Sequence, residues 1–175
     1  MARLENWPDD RQARVVGSFG SLQDLRKSTT ATVRSACDLA EIRLDLLAAD
    51  DGKIEGMPWS HLAETPLLFT ARRMEEGGAL SLMPATRMDL LRSTLDQAAW
   101  IDVEVASMRE METLLAELAG RRIPWIASYH DFDRLPPTAD LEQAAMRAKD
   151  AGAAVFKAAA RLASPADLAR LAEFQ

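Results

Sequence analysis

The chain has one cysteine, Cys37, among 175 residues, no surplus of basic residues and no long apolar run. Each shortage closes off a class of protein. A lone cysteine cannot form an internal disulfide, which fits a reducing compartment. Set in a helical segment, Cys37 reads as a small core residue rather than a nucleophile. Lys and Arg number 21 against 27 Asp and Glu, a formal charge of −6. Bulk charge therefore favours neither nucleic acid nor an anionic membrane, and an anionic ligand must be met by locally placed arginines. No stretch approaches the roughly 20 apolar residues of a membrane span. The opening Met1-Ala2-Arg3-Leu4-Glu5-Asn6-Trp7-Pro8 lacks the apolar core of a secretory signal. Low-complexity tracts and linkers are missing too, so residues 1–175 read as a single domain of bacterial-style cytosolic type. At 48% hydrophobic and 27% charged residues the composition is that of an ordinary globular protein.

What is there is a repeated pattern. After a polar lead-in ending near Arg11, Arg14-Val15-Val16-Gly17-Ser18-Phe19 reads as a strand, followed by helix from Leu22 to about Ala36. Five more apolar runs follow: Leu39 to Leu46, Pro66 to Thr70, Trp100 to Val105, Ile123 to Tyr129 and Ala153 to Lys157. Their centres recur at about 24 to 34 residues, the length of a strand plus a crossover helix. Helix punctuation lies between them. Pro84 opens a helix through Met88, Leu91 and Leu95; Thr138 caps one through Leu141, Ala145 and Ala148 to Gly152; Ser164-Pro165 is an N-cap and first-turn proline. From Ala48 to Thr65, Gly52, Gly56 and Pro58 leave room for only a short helix.

Six βα units imply a parallel sheet, either open with helices on both faces or closed as a (β/α)8 TIM-type barrel. Charged and polar residues recur at period two: Glu41, Arg43 and Asp45; Thr70 and Arg72; Asp102 and Glu104; Ser128 and His130. They share one face. An open sheet would bury them against apolar helices, whereas a barrel turns one face inward and gathers such groups at its mouth. The barrel is the expected α/β architecture, with about six of its eight units present in this chain.

Lys157 ends the last apolar run. It either snorkels outward or sits as an amine with no obvious solvent, where desolvation lowers proton affinity and makes a Schiff-base nucleophile. His130 ends the preceding run on the same inward face. If the two strands are neighbours, both side chains reach one substrate. Glu41, Arg43, Arg72 and Glu76 complete a mouth with a near-neutral acid/base and cations for an anion, and Arg43 and Arg72 are expected to depress the lysine's pKa. The alternative is an ion-pair layer in which Glu41, Arg43 and Asp45 satisfy one another.

Here the residues resemble a family, type I 3-dehydroquinate dehydratase of the shikimate pathway of aromatic amino acid biosynthesis. Glu41-Ile42-Arg43-Leu44-Asp45 is similar to its E-x-R-x-D strand, and Phe69-Thr70-Ala71-Arg72-Arg73-Met74-Glu75-Glu76-Gly77-Gly78 to its F-T-x-R-x-x-x-E-G-G segment. Ile101-Asp102-Val103-Glu104 resembles its fourth strand. Ser128-Tyr129-His130-Asp131-Phe132 and Phe156-Lys157-Ala158-Ala159 supply the histidine and lysine. The resemblance implies elimination of water from 3-dehydroquinate to 3-dehydroshikimate by a hydro-lyase without cofactor or metal. Lys157 would form an iminium ion at C3, and His130 would serve as base at C2 and acid for the departing C1 hydroxyl. Glu76 would orient His130 or the substrate; Glu41, Arg43 and Arg72 would bind substrate hydroxyls and hold the charge balance. Gly77 and Gly78 would let the loop turn tightly. It also implies a homodimer.

The family has two further βα units, carrying a carboxylate-clamping arginine and a loop with serine and glutamine, which this sequence does not contain. The chain runs out at Leu168 to Gln175 within a helical pattern, leaving edges at strands one and six that need covering. Two other readings follow: a non-catalytic truncated relative or fragment acting as a binding or structural module, and a different Schiff-base barrel such as an aldolase, disfavoured by the S-Y-H-D-F and F-T-x-R segments.

Overall fold

A computed structural model describes residues 13–51, 54–62 and 64–174; the polar lead-in and Gly52 lie outside them. Six strands form one sheet: β1 (Val16–Phe19), β2 (Leu39–Arg43), β3 (Leu67–Thr70), β4 (Trp100–Glu104), β5 (Trp125–Asp131) and β6 (Val155–Ala160). All five pairings are parallel and the spatial order follows the sequence. Among the described residues β1 and β6 each pair on one side only. This is the α/β architecture of six consecutive βα units expected from the spacing.

The two faces of the sheet have different chemistry because successive side chains point to opposite sides. Ala40, Ile42, Leu67, Phe69, Ile101, Val103 and Ala127 face the helices and form the main core with Leu91, Leu114, Leu118, Ala144 and Ala148. The helices are α1 (Leu22–Lys27), α2 (Thr30–Ala36), α3 (Leu44–Asp51), α4 (Pro84–Arg92), α5 (Glu112–Arg121), α6 (Thr138–Asp150) and α7 (Pro165–Phe174). Helical spacing puts Leu114 and Leu118 of α5, and Leu141, Ala144 and Ala148 of α6, on one buried side. On the other face of the sheet Leu39, Leu68, Trp100 and Ile126 make a small separate cluster with Val155 against it. One alternation further along the same face come Glu41, Thr70, Asp102, Ser128 and Lys157. This apolar floor with a polar layer above it is what a barrel interior requires and an open sandwich forbids.

Several expected boundaries move. The helix read over Leu22 to Ala36 is two helices. Ser28 is extended (φ −72°, ψ 154°), and Thr29 begins α2 with a capping box in which Thr29 and Thr32 exchange side-chain and backbone hydrogen bonds. Two hydroxyl residues in sequence offered the backbone partners outside the helix. Cys37 packs half-buried against the main core as read, but as the C-cap of α2 rather than inside the helix. The second strand ends at Arg43, not Leu46, and α3 begins at once, so Asp45 leaves the strand alternation for the first turn of a helix. β5 is shifted two residues onward to Asp131, which puts His130 inside the strand, and β6 continues three residues past Lys157. Thr138 is the first residue of α6, whose N-cap Pro137 makes no side-chain cap bond. Among the described residues between Ala48 and Thr65, the one element after α3 ends at Asp51 is a 3-10 turn at Ser60–Leu62. Pro84 and Ser164 behave as read: the proline opens α4, and Ser164 Oγ accepts from Asp167 N at 3.2 Å.

Candidate active site

The polar layer begins at β2. Glu41 is the inward residue after Leu39, and its two oxygens accept from Ser18 Oγ of β1 (2.8 Å) and Thr70 Oγ1 of β3 (2.7 Å). Arg43 is one inward position further. Its guanidinium grips Asp45 through Nε (2.9 Å) and Nη2 (2.7 Å) and reaches Gly77 O at 3.1 Å. Asp45 is fully buried and also accepts from Arg72 N (3.2 Å) and Ala79 N (3.3 Å), tying the loop after β3 to α3. Arg43 and Asp45 thus satisfy each other, while Glu41 belongs to a different group of partners.

Arg72 follows β3 and is buried. Its Nη1 meets Asp102 Oδ1 at 2.9 Å, Ser128 Oγ at 2.5 Å and Glu104 Oε1 at 3.4 Å. Burial works against the guanidinium's charge, but Asp102 and Glu104 outweigh it and push its pKa up. Glu104 also accepts from Arg73 N (2.9 Å) and from Arg87, which is buried on α4 and anchored to Ala71 O (2.9 Å) and Ser107 Oγ.

Lys157 stands opposite Ser128 in the β5–β6 register. Its side chain is 38% exposed, and Nζ lies 2.9 Å from Asp102 Oδ2. Asp102 Oδ1 accepts from Ser128 Oγ at 2.6 Å. Burial raises the Asp102 carboxyl, yet Arg72, Lys157 and the Ser128 hydrogen bond together hold it at about 2 against an ordinary 3.8. The charge in hydrogen-bond contact with the lysine is therefore a carboxylate. Arg72 reaches that carboxylate from the other side, and Arg43 is bound to Asp45, so the expected arginine contact with Lys157 is replaced by an acidic one.

His130 pairs with Ala159, one inward position beyond Lys157 on the neighbouring strand. Glu76 Oε2 lies 3.0 Å from both its Nδ1 and its backbone N. Glu76 sits in the 3-10 turn Met74–Glu76 after β3, closed by Gly77 at φ 88°. That left-handed conformation suits glycine. A Cβ at Gly77 would also press on Phe132 at 3.0 Å, and one at Gly78 would strike Arg72 O at 2.3 Å. The Phe132 ring stacks on His130 with centroids 6.5 Å apart and an interplanar angle of 19°.

All six residues read from the sequence, Glu41, Arg43, Arg72, Glu76, His130 and Lys157, belong to the inward face or the loop that follows it. Glu76, His130 and Lys157 line one side of the mouth; Arg43 and Arg72 are engaged by carboxylates. Asp102, Glu104, Ser128 and Arg87 complete the arrangement without having been assigned a part. Asp102 and Glu104 carried a signal, two carboxylates at period two in the apolar strand Trp100-Ile101-Asp102-Val103-Glu104. Arg87 carried a fainter one, four residues before Leu91 on the buried side of α4. Among the described residues no group of three or more His, Cys, Asp or Glu is placed to hold a metal ion.

Chemically, an amine, an imidazole with one nitrogen held by a carboxylate, and a second carboxylate on the amine can form an imine and move protons beside it. Solved structures resemble this fold. A type I 3-dehydroquinate dehydratase from Clostridium difficile superposes with a TM-score of 0.80 at 22% identity, over 92% of this chain and 68% of that one. The 3-dehydroquinate dehydratase from Enterococcus faecalis gives 0.77 at 23% identity, over 92% and 71%. Among curated proteins, the 3-dehydroquinate dehydratase of Methanocella arvoryzae is 28% identical over 94% of this chain and 72% of its own length. That of Desulfotalea psychrophila is 35% identical over 77% and 58%. The chain thus spans only part of the length of its relatives, little more than half in the second case. The family model for type I 3-dehydroquinase matches residues 16–175, and the chain belongs to that family.

Proposed function

We propose that this chain carries the imine-forming half of a 3-dehydroquinate dehydratase, a hydro-lyase converting 3-dehydroquinate to 3-dehydroshikimate. The observation that carries the reading is the pairing across β5 and β6: Lys157 faces the mouth opposite Ser128, and His130, held by Glu76, follows one inward position later. Lys157 Nζ adds to the C3 ketone, water leaves, and the iminium ion draws electrons from the neighbouring carbon. His130 takes the C2 proton and returns one to the C1 hydroxyl as it departs as water. Glu76 orients His130 through Nδ1. Glu41 and Arg43 meet substrate hydroxyls, and Arg72 contributes by bracing Asp102. Family membership and the names of the relatives support the substrate.

Borohydride reduction in the presence of 3-dehydroquinate, followed by peptide mass analysis, should leave a reduced adduct on Lys157; no adduct at saturating substrate would refute the reading. Among the described residues β1 and β6 each pair on one side only, with Val15 and Val16 exposed, and these edges favour a second reading, a binding module without turnover. Release of 3-dehydroshikimate, followed by its ultraviolet absorbance, would eliminate that one. The same edges support self-association as a homodimer, to be read by light scattering. Among the described residues no helix is long and apolar enough to cross a membrane, and the single cysteine supports a cytoplasmic setting.

A further inference from the structure

The partner of Lys157 stands at one end of a line of charges. From α4 to β6 they alternate in sign: Arg87, Glu104, Arg72, Asp102, Lys157. The first four are buried and cancel one another, so the lysine nitrogen carries the net charge of the line. Asp102 divides its oxygens between two tasks. Oδ1 is anchored by Arg72 at 2.9 Å and Ser128 at 2.6 Å, and Oδ2 is left to Nζ at 2.9 Å. A carboxylate with no exposed side-chain surface and one oxygen pinned on two donors is rigid, and it fixes where a partly exposed lysine head can rest.

We infer that Asp102, braced by Arg72 and Ser128, is the positioning counter-ion of Lys157 and serves that nitrogen both as ammonium and as iminium. The second half rests on the imine chemistry proposed above. Charge bookkeeping makes one carboxylate suffice for both states. When an ammonium condenses with a ketone, the C–N double bond forms and the C–O bonds break. The oxygen leaves with two of the nitrogen's three protons as water. One proton and the positive charge stay on nitrogen. A fixed anion beside it therefore favours the starting ammonium and the iminium alike, and disfavours the neutral amine and carbinolamine between them. The anion must not take the proton itself, and the depressed Asp102 carboxyl is consistent with that.

Other charges face this pair. Glu41 of β2 acts on Arg72, Glu104 lies further along β4, and His130 with Glu76 stands beyond Ser128 on the β5 side. α6 packs with Phe156 on the opposite face of β6, so its charges do not face Nζ.

Acetylation of Lys157 by acetic anhydride, followed by peptide mass analysis across pH on the full chain without substrate, reads the nitrogen's protonation directly. In Asp102→Asn the half-reaction pH should move down by about one unit or more, which makes Lys157 about tenfold more reactive at neutral pH. In Arg72→Gln, which removes a like charge, it should move up. Opposite shifts distinguish electrostatics from misfolding, since an unfolded chain of either variant would put the lysine near the ordinary ~10.4. A folded Asp102→Asn with no downward shift overturns the inference. If that variant fails to fold by circular dichroism, Arg72→Gln without an upward shift does so instead. With 3-dehydroquinate, the alkaline limb of kcat in Asp102→Asn should shift down in parallel, and a limb that stays put overturns the iminium half. Acetylation needs no substrate, so its failure is separate from failure of the proposed reaction, which is read as the borohydride adduct on the unsubstituted chain.

Discussion

Acidification should unfold this protein in a way that singles out Asp102. Its carboxyl lies at about 2 in the folded chain against 3.8 for an ordinary aspartate. At 1.36 kcal/mol per unit this difference contributes about 2 kcal/mol of stability. The folded value is the lower one, so that contribution is fully present above about pH 4 and is lost progressively as pH falls toward 2. In Asp102→Asn nothing titrates at this position. The variant starts lower at neutral pH, by about 3–5 kcal/mol, because Arg72 and Lys157 lose a buried partner. The gap between the two proteins should then narrow by about 2 kcal/mol on acidification from pH 5 to pH 2. Urea unfolding at each pH, followed by the fluorescence of the buried Trp59, Trp100 and Trp125, gives both curves. Subtracting them removes the titration of other carboxylates that the substitution leaves undisturbed. A gap that stays constant over that range, or closes entirely above pH 4, would mean that Arg72 and Lys157 do not hold this carboxylate ionised.

Glu76→Gln leaves the shape of the turn but removes the charge on His130 Nδ1; with 3-dehydroquinate it should lower kcat by about 10- to 100-fold with little change in KM, and a loss under twofold would remove Glu76 from the reaction. Gly78→Ala forces a methyl group against Arg72 O and should cost about 1–3 kcal/mol in urea unfolding, where a neutral result would contradict the close approach. Phe69→Ala empties a fully buried site that meets Trp59 edge-on at 5.2 Å; a loss of about 3–5 kcal/mol is expected, measured the same way.

Legibility in the sequence followed chemistry that repeats locally. The six strands were readable because each is a short apolar run set off by helix punctuation, and the inward face was readable because polar residues at period two have one geometric explanation in a parallel sheet. Boundaries were less so. Leu44 and Leu46 alternate as a strand would and so extend β2 on paper, whereas Asp45 is held at the start of α3 by Arg43 and by the Arg72 and Ala79 amides of the loop after β3. Which charge meets which was least legible. Arg43 and Arg72 suggested a cationic surrounding for Lys157, yet both are engaged by carboxylates. Pairing across strands depends on register, and the register of Ser128 with Lys157, and of Glu104 with Ser128, exists only once the sheet is assembled.

That dependence explains why so much charge is buried here. Ion pairs of this kind are weak contributors to stability, and replacing a buried set with apolar side chains of similar volume is often neutral or stabilising. The floor of the same face shows the apolar solution: Leu39, Leu68, Trp100 and Ile126 pack there as one cluster of buried apolar side chains. One alternation further along the same four strands, Glu41, Thr70, Asp102 and Ser128 stand instead. The change from apolar to charged occurs within a single strand repeat, at the level where Lys157 faces inward. Stability does not require that layer, because the layer beneath it does without charges. A fixed anion for a nitrogen that is positive both before and after imine formation, the role proposed above for Lys157, would require it.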